Sequence, residues 1–397
     1  MRIVVHKYGG SSVATVEKLK AVAAKVVATR REGFGVVVVV SAMGNTTDDL
    51  LGLAREVSDG PPKRELDMLL SAGERISMAL LSIAIQDLGE RAISFTGSQC
   101  GIVTTHSHAN ARIIDVRPFR VQDELEAGNI VIVAGYQGTS YKREITTLGR
   151  GGSDTTAVAL AAALGAERCD IFSDVDGVYS SDPRVVLDAE RLDEISYEEM
   201  QELARTGARV LNEQAVEFAR RRQIAIYARS TFKDGPGTVI RRVDGVREAA
   251  EALERADGVR GVSTRKDIVW LRGRREQAAD VLAACSAQSL LHTWAEGAAC
   301  AWILSGENMA NREAFASEVA SSCAVEARTD VASVSAVGEG VGSRAGALAR
   351  FERALSDAGV EVAALFTGRE SVSALVKAAE ADEAARTVHA AFIGVEG

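Results

Sequence analysis

The order of apolar and polar positions splits the chain into two parts of different rhythm. Residues 3–6 read as a short buried strand. Val16, Leu19, Val22, Ala23 and Val26 then give residues 16–29 the spacing of a helix face. Residues 36–40 are five valines in succession, which predicts a strand buried on both sides, as in a parallel sheet covered by helices. Residues 64–81 are helical, and residues 130–134 and 170–173 are further apolar strands. This alternation runs from Arg2 to about Arg242 and predicts an α/β fold with a mostly parallel, doubly covered sheet. Residues 244–257 are charged, Ala-rich and helical, a connector. Beyond them the rhythm becomes ferredoxin-like: strand 268–271, helix 276–286, strand 299–304 and helix 312–321. It recurs as strand 332–337, helix 346–358, strand 372–376 and helix 381–391, a weak internal duplication.

Length changes the picture first. A chain of 397 residues exceeds one typical core, so two or three domains are expected. An apolar content of 47% with 25% charged residues is the profile of a soluble globular protein. A net charge of −9 argues against a nucleic-acid partner. Cys100, Cys169, Cys285, Cys300 and Cys323 are scattered with no CxxC, which fits free thiols in a reducing compartment and no zinc site. His106 and His108, placed on one strand, would share a face, but with no third ligand nearby they read as solvated groups. No segment approaches the roughly 20 apolar residues of a membrane span, and the N-terminus lacks a signal-peptide core. The expectation is a cytoplasmic protein.

The candidate chemistry gathers where strands run into glycine. Gly149-Arg150-Gly151-Gly152 precedes a helix expected to open at Ser153 as N-cap, with Asp154 in its first turn and Gly165 as its stop. Glycines before a helix N-terminus let backbone N–H groups approach an anion. A dinucleotide fingerprint would need glycine in place of Asp154, and the P-loop needs a Gly-Lys pair that the chain lacks. Lys7-Tyr8-Gly9-Gly10-Ser11-Ser12 is a second such junction, and Ser41 to Asp48 follows the valine strand. Open α/β sheets bind ligands beyond the carboxyl ends of their strands, so the repetition matters more than any single loop. Glu74, in an otherwise apolar helix, reads by itself as exposed. The acidic loop Asp174 to Arg184 fails as a calcium loop, because Phe172 and Pro183 fall on ligand positions, and reads instead as a nucleotide loop near magnesium.

These motifs resemble those of the aspartate kinases, within the amino acid kinase superfamily. Lys7 to Val13 is similar to the family's opening motif and Val40 to Met43 to its second. Arg64-Glu65-Leu66-Asp67 through Gly73-Glu74 is similar to its third, and Thr146 to Ala163 and Asp174 to Arg184 follow its pattern. Ser230-Thr231-Phe232, Gly235 and Gly237-Thr238 resemble the segment that closes its kinase domain. The resemblance implies a three-layer α/β/α amino acid kinase fold with a mostly parallel central sheet, followed by two ferredoxin-like ACT domains. The expected division is 1–243 catalytic, 244–260 connector, 261–328 a divergent first ACT domain and 329–397 a second, whose C-terminal strand has the option of returning to the first. It implies phosphorylation of the L-aspartate side-chain carboxylate by ATP with Mg²⁺, giving 4-phospho-L-aspartate, the first step toward lysine, threonine, methionine and isoleucine or a specialised product. Ser41, Thr47, Glu74, Arg150 and Asp154 would hold aspartate. Lys7, Gly9, Gly10, Ser173, Asp174, Tyr179, Arg184 and Arg209 would serve ATP. Lys7, Arg150 and Asp154 would act in catalysis, with no direct protein ligand to a metal. ACT pairing implies a homodimer or higher oligomer, with no nucleic-acid or membrane partner.

The chemistry is consistent with that reading. A carboxylate nucleophile is ionised at neutral pH, so no general base is needed, only positioning and neutralisation of phosphoryl charge. Arg150 suits a carboxylate clamp, while Asp154 and Glu74 suit an ammonium. Lys7→Ala is expected to remove turnover without disturbing the fold. Other amino acid kinases are disfavoured by the Glu74/Asp154 pair and the ACT tail, and a non-catalytic amino-acid sensor by the intact Lys7, Arg150 and Asp154. Three departures stand out. Arg209 replaces the family's lysine in Gly207-Ala208-Arg209-Val210-Leu211, and Asn212-Glu213-Gln214 lacks the usual cation. The first ACT effector loop reads Arg272-Gly273-Arg274-Arg275-Glu276, without proline, which implies weakened feedback inhibition.

Overall fold

The computed structural model describes residues 1–149, 151–243, 258–286, 288–307, 309 and 311–394. The connector predicted at 244–257 and Arg150 lie outside the described residues. The chain forms two compact units. The first comprises Met1–Val178, Arg191–Gln201 and Val210–Val243, and the second Tyr179–Glu190, Glu202–Arg209 and Asp244–Gly397.

The first unit begins β1 (Ile3–Tyr8), α1 (Val16–Arg31), β2 (Gly35–Val40), α2 (Thr46–Val57), α3 (Lys63–Asp87) and β3 (Ala92–Phe95). It continues β4 (Ile102–Thr104), β5 (Ile113–Val116), α4 (Phe119–Glu126), β6 (Ile130–Ala134), β7 (Gln137–Ser140) and β8 (Ile145–Thr147). Then come α5 (Gly152–Leu164), β9 (Arg168–Ser173), β10 (Glu194–Ser196), α6 (Tyr197–Thr206, whose residues from Glu202 belong to the second unit), α7 (Glu213–Arg222), β11 (Ile226–Ser230) and β12 (Thr238–Arg241). Eight strands make one sheet in the order β10-β12-β11-β9-β1-β2-β6-β3. Every pairing in it is parallel except β11 with β12.

Strand alternation sorts the side chains into two layers. Val4 and Tyr8 of β1, with Val36, Val38 and Val40 of β2, pack under Leu19, Val22 and Val26 of α1 and Met78, Leu81 and Ile85 of α3. The opposite face carries α5 against β1, β2 and β9, with α7 packed on α5. A run of five valines is fully buried because helices cover both of its faces. Helix α3 has the length and apolar content to cross a membrane, contrary to the expectation from sequence, but it lays a buried stripe from Asp67 and Leu70 through Glu74, Met78 and Leu81 to Ile85 into this unit.

The second unit holds two antiparallel four-stranded sheets. β14 (Ile268–Arg274), β15 (Leu290–Glu296), β16 (Ala299–Ser305) and β17 (Glu326–Arg328) pair in the order β15-β16-β14-β17. With α8 (Ala278–Ala284) and α9 (Arg312–Cys323) they make one ferredoxin-like βαββαβ module. β18 (Val331–Val337), α10 (Ala345–Asp357), β19 (Ala364–Thr367), β20 (Ser371–Lys377) and α11 (Ala381–Phe392) make the second. Its fourth strand is β13 (Gly261–Arg265), which precedes the whole first module in the chain and pairs with β18. Ile268, Trp270, Ala301 and Ile303 of the first sheet meet Val331 and Leu375 of the second in a shared apolar cluster.

Candidate functional site

The register of the parallel strands creates the site. Tyr8 aligns with Val40 and Phe172, and Val40 with Ala134. The residues that follow, Gly9, Ser41, Ser173 and Gly135, therefore emerge along one edge of the sheet. There the loops bind each other. Gly9 N–H donates to Phe172 O (3.2 Å), Ser41 N–H to Tyr8 O (3.1 Å) and Gly44 N–H to Gly10 O (3.1 Å). The Ser12 and Thr231 hydroxyls, 2.6 Å apart, tie in the loop after β11. A side chain at Gly10 would bring its Cβ within 2.9 Å of Ala42 O, whereas at Gly9 the nearest atom is Lys7 Nζ at 3.4 Å. Gly10 is required for loop packing, and Gly9 leaves room for a ligand.

Lys7 leaves β1 on the α5 side, and its Nζ sits 2.7 Å from Asp154 Oδ1, with the side chains 12% and 10% exposed. Asp154 is held by the glycine turn. Gly149 and Gly151 adopt φ of 78° and 71°, and Gly151 N-caps α5 in a left-handed conformation. The predicted cap, Ser153, lies instead inside the first turn, where its hydroxyl approaches Gly135, whose added Cβ would come within 2.7 Å of it. The turn is closed from the other side by Asn212, whose amide would lie 2.5 Å from a Cβ at Gly151. Asn212 also caps α7 through Gln214 N–H (2.9 Å) and accepts a bond from the Thr155 hydroxyl (3.4 Å). Asn212 is thus a packing and capping residue.

Glu74 is 3% exposed, which corrects the expectation of an exposed side chain. Its Oε1 accepts Ala42 N–H at 3.2 Å, while Oε2 is buried without a hydrogen-bond partner. Desolvation pushes its pKa up to about 7, against the pull of the backbone donors. A buried oxygen with unused lone pairs fits a cationic group of a ligand. The burial was legible in the spacing of Leu70, Glu74, Met78 and Leu81 along one helix face.

Sequence reasoning missed Asp67, one further step along that face and fully buried. Its Oδ1 accepts the Thr147 hydroxyl (2.6 Å) and Ala109 N–H (3.0 Å), and its Oδ2 lies 2.6 Å from His108 Nδ1. Asp67 fastens the 105–110 loop to β8, next to Gly149, whose Cβ position lies 3.1 Å from Asn110 Oδ1. His106 and His108 lie in this loop and not on a strand, and both are half-buried, not solvated. The His106 and His108 rings meet edge to face at 5.2 Å.

Of the remaining predicted residues, Ser41 and Thr47 are half-buried near the α2 N-terminus, Ser173 is half-buried at the end of β9, and Asp174 is exposed. Tyr179, Arg184 and Arg209 belong to the second unit. Arg184 makes a two-pronged pair with Asp182 (3.0 and 2.7 Å), and Arg209 is exposed. The first unit thus brings together Lys7, Gly9, Gly10, Ser41, Glu74, Asp154, Ser173 and Asp174. Among the described residues no group of three or more His, Cys, Asp or Glu side chains is placed to hold a metal ion. The glycine-lined strand ends and Lys7 do fit a polyphosphate, which carries its own magnesium ligands.

Residues 2–230 match the amino acid kinase family and residues 334–392 the ACT domain. The chain is 44% identical over 412 residues to the aspartokinase of Mycolicibacterium smegmatis, covering 99% of this chain and 96% of that one. It is 42% identical over 413 residues to the aspartokinase of Corynebacterium glutamicum, with 99% and 96% covered. Among solved structures, E. coli aspartokinase III in complex with aspartate and ADP superposes with a TM-score of 0.83 at 24% identity, covering 98% of this chain and 99% of that one. That likeness carries the fold. Aspartate kinase from Synechocystis is 33% identical with a TM-score of 0.56, covering 98% and 69%.

Proposed function

Because the chain belongs to the aspartokinase family, we propose that it transfers the γ-phosphoryl group of ATP to the side-chain carboxylate of L-aspartate. The observation that carries the reading is the Lys7–Asp154 pair at the glycine-lined end of β1. A carboxylate oxygen of aspartate attacks the γ-phosphorus, the bond to the β–γ bridging oxygen breaks, and ADP leaves with 4-phospho-L-aspartate formed. The nucleophile is already ionised, so no proton is moved by the enzyme. Lys7 offsets charge on the transferring group, and Asp154 fixes the direction of its ammonium. The backbone N–H groups around Gly9 and Gly10 border the phosphate path.

Asp154 and the unpartnered Oε2 of Glu74 would receive the substrate ammonium, with Ser41 and Thr47 nearby and Arg150 clamping a carboxylate. Tyr179, Arg184 and Arg209 would also serve ATP. Mg²⁺ would enter with ATP and neutralise its phosphates. The product would feed the lysine, threonine, methionine and isoleucine routes or a specialised product. We place the protein in the cytoplasm as a homodimer or larger oligomer joined through ACT modules, with 1–243 as catalytic domain, 244–260 as connector and 261–328 and 329–397 as ACT domains, the β13 strand of the first range pairing into the sheet of the second. Feedback inhibition would be weak, because the segment expected as the effector loop, which in the structure is the end of β14 (through Arg274) and the turn at Arg275, lacks proline and exposes its three arginines. The test is ADP formation across a panel of amino acids. Turnover is expected with L-aspartate well above glutamate, N-acetylglutamate or carbamate, and equal or absent turnover overturns the reading.

A further inference from the structure

One residue before Lys7, β1 turns the other way. His6 faces α1 and lines a cavity of about 180 Å³ with Lys25, Arg168, Asp170, Arg229 and Lys233. This space is on the face of the sheet opposite the Lys7–Asp154 pair. At its base Asp170, 1% exposed, binds two guanidinium groups, Arg168 Nε at 2.9 Å and Arg229 Nε at 3.2 Å. Lys25 Nζ donates to Thr231 O at 3.1 Å on the wall. Four cations (Lys25, Arg168, Arg229 and Lys233) and three carboxylates (Asp170, Glu32 and Asp234) line the cavity, a net charge of +1; Glu32, Lys233 and Asp234 are exposed at the rim, whereas Lys25, Arg168 and Arg229 are half-buried around Asp170.

His6 gives the second, independent observation. It is 2% exposed, its Nε2 lies 3.6 Å from Asp170 Oδ2, and its Nδ1 is buried without a hydrogen-bond partner. Burial, reinforced by the neighbouring arginines, lowers its pKa to about 4 against the pull of Asp170, so the ring is neutral at pH 7 and adds no charge of its own. A polar atom kept dry and unpaired costs free energy unless something fills the space. The cavity has room for one tetrahedral oxyanion with part of its hydration.

We propose that this cavity is a second anion site, which binds a phosphate-type dianion through the Arg168/Arg229 pair, Lys25 and His6. Two guanidiniums drawn to one carboxylate concentrate N–H donors of the kind that bind phosphate oxygens in one place. The ligand is either free phosphate or the phosphate of a small monoester, which share this chemistry. The site stands apart from phosphoryl transfer and does not depend on that reading.

The test is calorimetric titration of the full chain with inorganic phosphate and, in a separate arm, with a small phosphomonoester, each with and without a non-hydrolysable ATP analogue. The expected result is millimolar-range binding that persists with the analogue present and weakens by at least about tenfold in Lys25→Gln. Tighter binding of the monoester would assign the site to a phosphorylated metabolite, and tighter binding of phosphate to the free ion. A readout needing no variant is the His6 imidazole nitrogen resonance, which should move on titration. Absence of binding, binding that survives Lys25→Gln unchanged, loss of binding with the analogue, or an unmoved His6 resonance overturns the proposal.

Discussion

The Lys7 ammonium and the Asp154 carboxylate, 2.7 Å apart and both about nine-tenths buried, join the end of β1 to the first turn of α5. Each is the other's counter-charge, so removing one leaves a buried charge uncompensated. The expectation that Lys7→Ala spares the fold therefore needs correction. Lys7→Met should lower stability by about 3–5 kcal/mol as well as cutting kcat by about a hundredfold or more. The double variant Lys7→Met/Asp154→Asn should regain most of the stability and none of the turnover. Urea unfolding and steady-state kinetics on the parent and the two variants decide it. Unchanged stability in Lys7→Met would remove the pair from the account.

Glu74 makes a prediction in pH. Its folded pKa of about 7 lies above the ordinary 4.5. The proton it holds stabilises the fold fully below about pH 4.5, and that contribution is lost as pH rises through about 7. Glu74→Gln should therefore match the parent in acid and exceed it by about 1–3 kcal/mol at pH 8. In the parent, aspartate should bind less well as pH falls below about 7, with KM rising by up to about tenfold per unit, because the ammonium needs the ionised carboxylate. Parallel stability curves, or a KM flat from pH 6 to 8, would remove Glu74 from both roles.

The glycines separate by what a methyl group would strike. Gly10→Ala presses on the Ala42 carbonyl and Gly151→Ala on Asn212 at a positive φ, so both should lower stability by about 1–3 kcal/mol. Gly9→Ala meets only the movable end of Lys7, so its melting temperature should stay near the parent's while ATP KM rises. Thermal melts with ATP-dependent kinetics on the three variants distinguish the cases. Equal destabilisation of all three contradicts the assignment.

Much of the frame was legible because periodicity reports burial. The valine run of β2, the α1 stripe and the glycines at strand ends are local patterns with local causes. The N-cap of α5 was misread because Ser153 has the right side chain, but Gly151 alone reaches φ of 71° against Asn212, a neighbour far away in sequence. Glu74 was misread because its charge was weighed and its place on the buried stripe was not. Asp67 and His108 form a pair across 41 residues, which no local window shows. The pairing of β13 with β18 is non-local in the same way, since a whole βαββαβ module intervenes.

Control of the enzyme gives a further expectation. The arginines at the end of β14 and the turn after it are exposed, and Gly273 is packed so closely that a Cβ would lie 2.6 Å from Val325 and 2.7 Å from Gln277. Lysine and threonine, singly or together, should inhibit weakly or not at all when titrated at saturating ATP and aspartate. Strong inhibition at sub-millimolar concentrations would mean that these departures leave the effector site intact.

The most direct measurement is trapping of the acyl phosphate. Incubation with ATP, Mg²⁺, L-aspartate and hydroxylamine should yield the β-hydroxamate of aspartate and ADP in equal amounts, with neither formed by the Lys7→Met/Asp154→Asn variant. ADP released with inorganic phosphate and no hydroxamate, or hydroxamate formed equally well from glutamate, would contradict the assignment.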